Sequence, residues 1–231
     1  MNYVMSDIHN DNNRLYEMLN KIEFDKKKDH LYVLGDLFDR ADYNPQPWGV
    51  YYRITALEEA CTIIQGNHDA WLASYIFKYF ETPEKQRENL LPYSYNTFRL
   101  LKDRHSEKTL IELATWIREK PLQLVVQVED EMYLLAHAQT SDPEVVQEKL
   151  YYLMGKMDYR FLENGIEGYT SICGHNPTEN IRAWYEDSYR PKEQEIWVNP
   201  KKNVYMIDCG CGFVKGRLSC MRLEDREMFY V

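Results

Sequence analysis

Five short apolar segments of this chain are each followed by the same kinds of polar residue, and this recurrence constrains the fold more than any other feature. The segments are Tyr3–Met5, Leu31–Leu34, Cys61–Ile64, Met132–Ala136 and Tyr169–Cys173. The polar residues that follow them are Asp7, His9, Asp36, Asn67, His68, His137 and His175. In open α/β sheets, binding sites form beyond the carboxyl ends of the strands. The pattern therefore predicts an α/β protein with one site at its strand ends.

The segments between these strands predict helices and one long loop. Helical spacing of apolar residues predicts a helix over residues 12–24, capped by Asn12 or Asn13, and further helices near 53–60 and 69–80. The stretch from Arg40 to Tyr52 contains two prolines and a glycine, which predicts a loop. Asp142 followed by Pro143 predicts the start of another helix.

The second half of the chain is richer in short strands than the first half. A β-rich second half after a βαβ first half predicts two sheets packed against each other. The long polar stretch around residues 70–120 predicts a helical insertion that forms a cap over the site. We expect one domain that covers residues 1–231.

Composition excludes some classes of partner. The formal net charge of −9 argues against a nucleic-acid partner, which requires a basic surface. The first residues predict no signal peptide, and no apolar run of about 18 residues predicts a membrane span. The five cysteines, an odd number, indicate reduced thiols and a cytoplasmic location.

The polar residues at the strand ends have the chemistry of metal ligands. Carboxylates can bridge two cations, and mixed oxygen and imidazole donors suit manganese, iron, zinc or cobalt better than calcium. A single Asp or His at a strand end is usually a turn residue or a helix cap. Five strand ends with the same donors favour a metal centre instead.

The motifs "SDIHN", "GDLFDR", "GNHD", "LAHA" and "GHNP" occur in this order. With them, the chain from Asp7 to Leu223 resembles the calcineurin-like metallophosphoesterases, and within them the phosphoprotein phosphatase branch. That branch includes serine/threonine protein phosphatases and symmetrical diadenosine tetraphosphate hydrolases. The resemblance implies the metallo-dependent phosphatase fold, in which two mixed β-sheets pack as a sandwich flanked by helices.

The resemblance also implies two divalent or trivalent metal ions, with manganese, iron or zinc expected. The first ion would be held by Asp7, His9 and Asp36. The second would be held by Asp36, Asn67, His137 and His175, so that Asp36 bridges the two ions. A hydroxide shared by the ions would attack phosphorus in line with the leaving group.

Three further residues take catalytic roles by the same resemblance. His68 would protonate the leaving oxygen, Asp39 would orient His68, and Arg40 would bind phosphate oxygens. A second phosphate-binding arginine is usual in the family. Arg160 is the preferred candidate for it, and Arg182 is the alternative.

Several positions depart from the family pattern. Asn10 and Ala41 stand where glycine is usual, which could change the local backbone, and Gln139 and Asp69 also differ. Asp208, after a further strand over residues 204–207, either orients a ligand histidine or closes a turn.

The expected function is that of a phosphoric monoester hydrolase of the serine/threonine protein phosphatase type, acting on a phosphorylated protein. The alternative is a hydrolase of diadenosine tetraphosphate or another small phosphorylated metabolite. Trp48, Tyr51 and Tyr52 beside the predicted site could stack on bases. Arg40 and the net charge disfavour a phosphodiesterase or nuclease, and the complete ligand set disfavours a non-catalytic metal-binding adaptor. No nucleic-acid or membrane partner is expected.

Overall fold

The computed structural model describes residues 1–156, 158–186 and 194–231, and in them ten strands form two five-stranded sheets. The first sheet contains β1 (Asn2–Met5), β2 (His30–Val33), β3 (Cys61–Ile63), β9 (Ser219–Arg222) and β10 (Met228–Tyr230). The second sheet contains β4 (Gln123–Val128), β5 (Glu131–Ala136), β6 (Thr170–Cys173), β7 (Trp197–Val198) and β8 (Val204–Met206). The predicted pair of mixed sheets is confirmed.

Each sheet contains three neighbouring parallel strands. The strand order is β10-β9-β1-β2-β3 in the first sheet and β4-β5-β6-β8-β7 in the second. Strands β1, β2 and β3 are parallel, as are β5, β6 and β8. Strands β9 and β10 add antiparallel on one side of the first sheet, and β4 and β7 add antiparallel at the two edges of the second. The register aligns Met5 with Val33 and Val33 with Ile63. The parallel strands of the first sheet therefore end level, and the residues that follow them lie side by side.

The two sheets pack face to face. Val4 of β1 lies in one buried cluster with Tyr133 and Leu135 of β5 and Ile172 of β6. Its neighbours Tyr3 and Met5 belong to a different cluster, because successive side chains of a strand point to opposite faces. Burial on both faces explains why these strands are continuously apolar in sequence rather than alternating.

Helices cover the outer faces of the sandwich. The helices are α1 (Asn12–Lys21), α2 (Pro47–Thr55), α3 (Asn67–Glu81), α4 (Thr97–Lys102), α5 (Glu107–Arg118), α6 (Lys149–Met154), α7 (Tyr159–Asn164) and α8 (Thr178–Tyr185), with 3-10 turns at Glu58–Ala60 and Glu84–Asn89. Side chains of α1 to α5 share a core with the first sheet, and those of α7 and α8 pack on the second. Within the described ranges, no helix has the length and apolar character needed to span a membrane.

The predicted insertion around residues 70–120 contains α3, α4 and α5. Leu72 and Ile76 of α3, Leu101 of α4 and Leu113 of α5 lie in the same buried cluster as the first sheet. The insertion is therefore packed onto the sheet core through its apolar faces. Its role as a cap over the site and the single-domain division of residues 1–231 stay predictions.

Three local predictions were wrong. The segment predicted as a loop from Arg40 to Tyr52 contains the start of α2, because Pro47 occupies the first helical turn, where proline is tolerated. Val50 and Ile54, four residues apart, bury the apolar face of that helix. The helix predicted to begin at Asp142 begins only at Lys149, since the Asp142 side chain accepts from the Glu144 N–H and closes a turn. The first helix is capped by Asp11 rather than by Asn12 or Asn13.

Gly35 allows the ends of β2 and β3 to approach each other. Its φ is +88°, and a Cβ atom built there would lie 2.6 Å from the Cα of Gly66. An L-residue at this position would be strained by its own backbone and would also collide with the neighbouring strand end. The short distance between the loop after β2 and the loop after β3 therefore depends on the absence of a side chain at Gly35.

We predict that Gly35→Ala destabilises the protein far more than Gly168→Ala does. Gly168 also has a positive φ, of +80°, but nothing lies within 4 Å of its virtual Cβ. Gly168→Ala should cost about 1 kcal/mol through backbone strain, and Gly35→Ala roughly 3 kcal/mol or more because overpacking is added. Urea unfolding of both variants measures the difference, and equal costs would show that the close approach is unimportant.

Candidate metal centre

The loops after the strands hold the predicted site residues in an uncommon backbone conformation. Eight non-glycine residues there have φ between +49° and +68°, and these are Asp7, His9, Asn10, Asp36, Asp39, Arg40, Ala41 and His175. Such conformations cost an L-residue roughly 1 kcal/mol or more each and cluster at functional sites. The tight left-handed turns bring several side chains to one point. Asn10 and Ala41, which stand where glycine is usual in the family pattern, both have a positive φ although each carries a side chain.

Two groups of potential ligands share one carboxylate. Asp7, His9 and Asp36 form the first group, and Asp36, His137 and His175 form the second, with the ligand atoms of each group within 4.8 Å of one another. The Oδ2 atom of Asp36 lies 3.7 Å from Nε2 of His9 and 3.4 Å from Nε2 of His137. The arrangement places Asp36 between the two groups, as a bridging ligand requires.

Asn67 joins the second group. Its side-chain oxygen lies 2.8 Å from Nε2 of His137, and the residue is buried as the first position of α3. The structure thus brings together all six predicted ligands, from both sheets.

The hydrogen bonds of the Asp7 and Asp36 carboxylates show whether the site suits a cation. Oδ2 of Asp7 accepts from the His175 N–H at 3.0 Å, and Oδ1 of Asp36 accepts from the His68 N–H at 2.9 Å. The other oxygen of each, Oδ1 of Asp7 and Oδ2 of Asp36, is buried without a hydrogen-bond partner among the described residues. A buried carboxylate oxygen without a donor is costly unless a cation faces it. The donor set therefore fits metal ions.

Backbone carbonyls fix the histidine tautomers. Nδ1 of His9 lies 2.9 Å from the carbonyl oxygen of Phe38, and Nδ1 of His137 lies 2.7 Å from that of Leu34. A carbonyl can only accept, so Nδ1 carries a hydrogen and Nε2 is the nitrogen that faces the site, where its deprotonated form can bind a cation. Because Leu34 and Phe38 flank the loop after β2, that loop orients a ligand from each sheet.

Charges in the site shift one another's pKa values. Burial opposes ionisation of Asp36, but the charges of His137 and His9 outweigh it and hold the pKa of Asp36 far below its usual range. Burial likewise opposes a charged His137, yet Asp36 raises the pKa of His137 to about 10. Burial and the neighbouring His137 lower the pKa of His175 to about 4. Before a cation binds, the site therefore holds an ionised Asp36, a protonated His137 and a neutral His175, and His137 must lose a proton to become a ligand.

His68, Asp39 and Arg40 lie beside the ligand groups. Nδ1 of His68 is 3.0 Å from Oδ2 of Asp39, and its Nε2 is 4.0 Å from Oδ2 of Asp36. The Arg40 guanidinium lies 2.9 Å from Nε2 of His9 and 3.4 Å from Nε2 of His68. The structure thus places the three residues next to one another and against the bridging carboxylate.

Asp69 supports the bridging residue in a way that the sequence did not reveal. Its buried carboxylate accepts from the backbone N–H groups of Asp36 and Leu37 at 2.9 Å and of Gly66 at 3.0 Å. Burial and the nearby Asp36 raise the pKa of Asp69 to about 7. The sequence shows only that Asp69 is an acidic residue in the first turn of a predicted helix, which is typical of a helix cap. Its contacts with the loop after β2 could not be predicted from that position.

The two arginine candidates do not join the ligand groups by any contact described for them. Arg160 is exposed on α7, and the contacts described for its backbone are with Asp158 and Asn164. The Arg182 guanidinium donates to the carbonyls of Glu195 and Ile196 next to β7. A second phosphate-binding arginine, whether Arg160 or Arg182, stays a prediction.

Asp208 is fully buried after β8. Oδ1 accepts from the Gly210 N–H at 2.8 Å, which is a turn contact, and Oδ2 has no hydrogen-bond partner within the described ranges. Burial, followed by repulsion from Asp7, raises the pKa of Asp208 well above its usual value. Asp208 was predicted either to orient a ligand histidine or to close a turn, and the contact seen in the structure is the one that closes a turn.

The aromatic residues at the site differ from those that the sequence suggested. Trp48 stacks on His105 at a ring separation of 3.8 Å, and Tyr51 packs on Trp116 at 5.0 Å, so both serve the helical core. The site is instead bordered by Trp71 and Tyr95, whose rings lie 4.8 Å and 4.9 Å from that of His68, and by Phe213, whose ring centre is 4.8 Å from the Arg40 guanidinium carbon. Tyr95 and Phe213 are far in sequence from the residues that they contact, whereas Trp71, three residues after His68, was within reach of sequence reasoning.

Comparison with known proteins agrees with this geometry. The family model described as calcineurin-like phosphoesterase matches residues 3–207. The chain therefore belongs to the calcineurin-like phosphoesterase family. It is accordingly a phosphoester hydrolase of a metal-dependent class.

Curated relatives match nearly the whole chain. An Escherichia coli protein named symmetrical bis(5'-nucleosyl)-tetraphosphatase is 30% identical, over 98% of this chain and 93% of its own length. A Proteus mirabilis protein of the same name is 24% identical, over 98% and 96%.

Solved structures share the fold at lower identity. A structure provisionally assigned as a diadenosine tetraphosphatase superposes with a TM-score of 0.65 at 17% identity, over 100% of this chain and 92% of that one. A Saccharomyces cerevisiae protein serine/threonine phosphatase has a TM-score of 0.54 at 12% identity, over 100% and 78%.

We predict that Asp36→Ala abolishes the binding of a pair of metal ions. Removing the carboxylate shared by both groups leaves each group one ligand short, whereas Asp103→Ala changes an exposed acidic residue on the surface. Metal content after dialysis against Mn²⁺ should fall sharply in Asp36→Ala and stay unchanged in Asp103→Ala. An Asp36→Ala protein that still held two ions would refute the bridging role.

Proposed function

We propose that this protein hydrolyses bis(5'-nucleosyl) tetraphosphates symmetrically, giving two nucleoside diphosphates. The observation that carries the proposal is the full-length similarity to curated symmetrical tetraphosphatases, which reaches 30% identity. The sequence motifs favoured the serine/threonine protein phosphatase alternative. The relatives favour the small phosphorylated substrate, since the yeast protein phosphatase is similar in fold alone, at 12% identity.

The ligand residues take the roles that their geometry supports. Asp7, His9 and Asp36 would hold one ion, and Asp36, Asn67, His137 and His175 would hold the second. Manganese, iron or zinc suits these mixed oxygen and nitrogen donors. When bound, the ions would activate the attacking water and neutralise charge on the phosphate oxygens.

The neighbouring residues would act on the phosphate chain. Arg40, fixed over the Phe213 ring, would contact phosphate oxygens and stabilise the charge that develops during displacement. His68, hydrogen-bonded to Asp39 through Nδ1, would turn Nε2 toward the leaving phosphate oxygen and donate a proton to it.

The border of the site has the chemistry needed for nucleosides. Trp71 is 39% exposed and Phe213 is 50% exposed, and both contact residues of the phosphate site. Exposed aromatic faces stack on bases with little sequence preference. A tetraphosphate centred between Arg40 and His68 would extend toward these rings, which supports a nucleotide substrate over a phosphoprotein.

A reducing compartment such as the cytoplasm suits the thiols. The five cysteines are free, and burial raises the pKa of Cys173 to about 12, so this thiol stays protonated and unreactive.

We predict that the Mn²⁺-loaded protein prefers diadenosine tetraphosphate to a phosphoserine peptide by at least about tenfold in kcat/KM, which corresponds to about 1.4 kcal/mol in transition-state binding. Chromatography should show ADP as the sole nucleotide product, because symmetrical cleavage breaks the central P–O–P linkage. A preference for the peptide, or formation of ATP and AMP, would overturn the proposal.

We also predict that the aromatic border binds the base rather than the phosphates. Trp71→Ala and Phe213→Ala should weaken inhibition by ADP about 5- to 100-fold, as expected from loss of one stacked base, and weaken inhibition by pyrophosphate much less. Tyr52→Ala, which removes an aromatic ring that is 69% exposed elsewhere, serves as the control. Equal losses for ADP and pyrophosphate would contradict the stacking role.

A further inference from the structure

The insertion sends three side chains into the catalytic loops. These side chains belong to Tyr93, Tyr95 and Thr97, which lie between the 3-10 turn at Glu84–Asn89 and the first turn of α4. They contact His68, Asp39 and Asn10. The segment is distant in sequence from all the motifs, so its contacts need a separate explanation.

Tyr93 and His68 meet at one oxygen. The Tyr93 hydroxyl donates to Oδ2 of Asp39 at 2.6 Å, and the same oxygen lies 3.0 Å from Nδ1 of His68. Oδ1 of Asp39 is buried and has no hydrogen-bond partner in the described part of the chain. The orientation of the carboxylate is therefore set by Tyr93 and His68 together.

The backbone of Asp39 is held by the same segment. The Thr97 hydroxyl oxygen accepts from the Asp39 N–H at 3.1 Å and from the Asn10 side chain at 2.8 Å. Asp39 has a φ of +68°, a conformation that persists only when its surroundings fix it. Thr97 thus anchors the main chain of Asp39, and Tyr93 anchors its carboxylate.

The Tyr93 hydroxyl stays a donor throughout the working range of pH. Burial, reinforced by the adjacent Asp39, holds the pKa of Tyr93 far above its usual value. A hydroxyl that keeps its hydrogen donates it to Oδ2 of Asp39, and the same oxygen accepts the Nδ1 hydrogen of His68.

We propose that Tyr93 is a positioning residue, whose hydroxyl fixes the Asp39 carboxylate so that His68 presents Nε2–H to the leaving oxygen. The proposal rests on the proposed role of His68 as the acid. In the step concerned, water adds to phosphorus, the P–O bond to the leaving group breaks, and the Nε2 proton passes to the departing oxygen. The attacking water releases one proton to the solvent and His68 later takes one back from the solvent, so the protons balance and Asp39 takes no part in the transfer.

The test compares leaving groups, because an acid matters most when the departing oxygen is basic. Substituted phenyl phosphates and an alkyl phosphate are hydrolysed by the metal-loaded wild-type and Tyr93→Phe proteins. We expect kcat to fall about tenfold in Tyr93→Phe for the most basic leaving groups and less than about twofold for the most acidic, with KM little changed. An equal loss of kcat for all leaving groups would overturn the proposal. Such a loss would point to a general disturbance of the site, which does not depend on the basicity of the leaving group.

A matched control lies in the same aromatic cluster. Tyr75 donates its hydroxyl to the Leu91 carbonyl at 3.1 Å, and its ring lies 5.1 Å from that of Tyr93. Tyr75→Phe should leave the whole series unchanged. In a His68→Asn background, Tyr93→Phe should have no further effect, and an additional loss there would show that Tyr93 does not act through His68.

Nuclear magnetic resonance gives a readout apart from turnover. In the zinc-loaded protein, the Nδ1 proton of His68 should give a low-field signal that is absent from His68→Asn. The signal should move in Tyr93→Phe and stay in place in Tyr75→Phe, and an unmoved signal in Tyr93→Phe would count against the proposal. The phosphate series contains no nucleotide, so failure to hydrolyse diadenosine tetraphosphate would refute the proposed substrate and leave this test intact.

Discussion

The site is organised around the carboxylate of Asp36. One of its oxygens accepts from the His68 N–H, and the other faces His9 from the first sheet and His137 from the second. Its own backbone N–H is held by Asp69 at 2.9 Å. Asp36 therefore contacts both ligand groups and the proposed acid. It also links the loops of the two sheets, so the position of its carboxylate sets how these groups lie relative to one another.

Close packing of the strand ends explains why glycine recurs in the motifs. A Cβ atom on Gly66 would meet the carboxylate and the N–H of Asp36, just as one on Gly35 would meet Gly66. The loops after β2 and β3 can place their ligands in one site only because Gly35 and Gly66 have no side chains. The same proximity leaves carboxylate oxygens without donors, so the fold gathers buried oxygen atoms that a cation can satisfy.

Much of this arrangement is local enough to be predictable from sequence. The clustering of the six candidate ligands was predictable from apolar runs that end in polar residues, because parallel strands in register bring their ends together. The wrong predictions came from residues that are common in two kinds of local structure. Pro47 was assigned to a loop but begins a helix, and Asp142 was assigned to a helix start but closes a turn. The roles of Asp69, Tyr93 and Phe213 depend on contacts between distant segments, which no short motif encodes.

In the proposed function, the candidate ligand groups supply the chemistry and the aromatic border of the site selects the substrate. The ligand groups come from loops that follow the central strands, and the fold is shared with a yeast protein phosphatase at only 12% identity. Trp71 and Tyr95 come from the helical insertion, and Phe213 comes from the loop before β9. These rings contact His68 and Arg40 directly. In the proposed function, base recognition is therefore physically coupled to proton transfer and phosphate binding, because the same rings would touch the base and support His68 and Arg40.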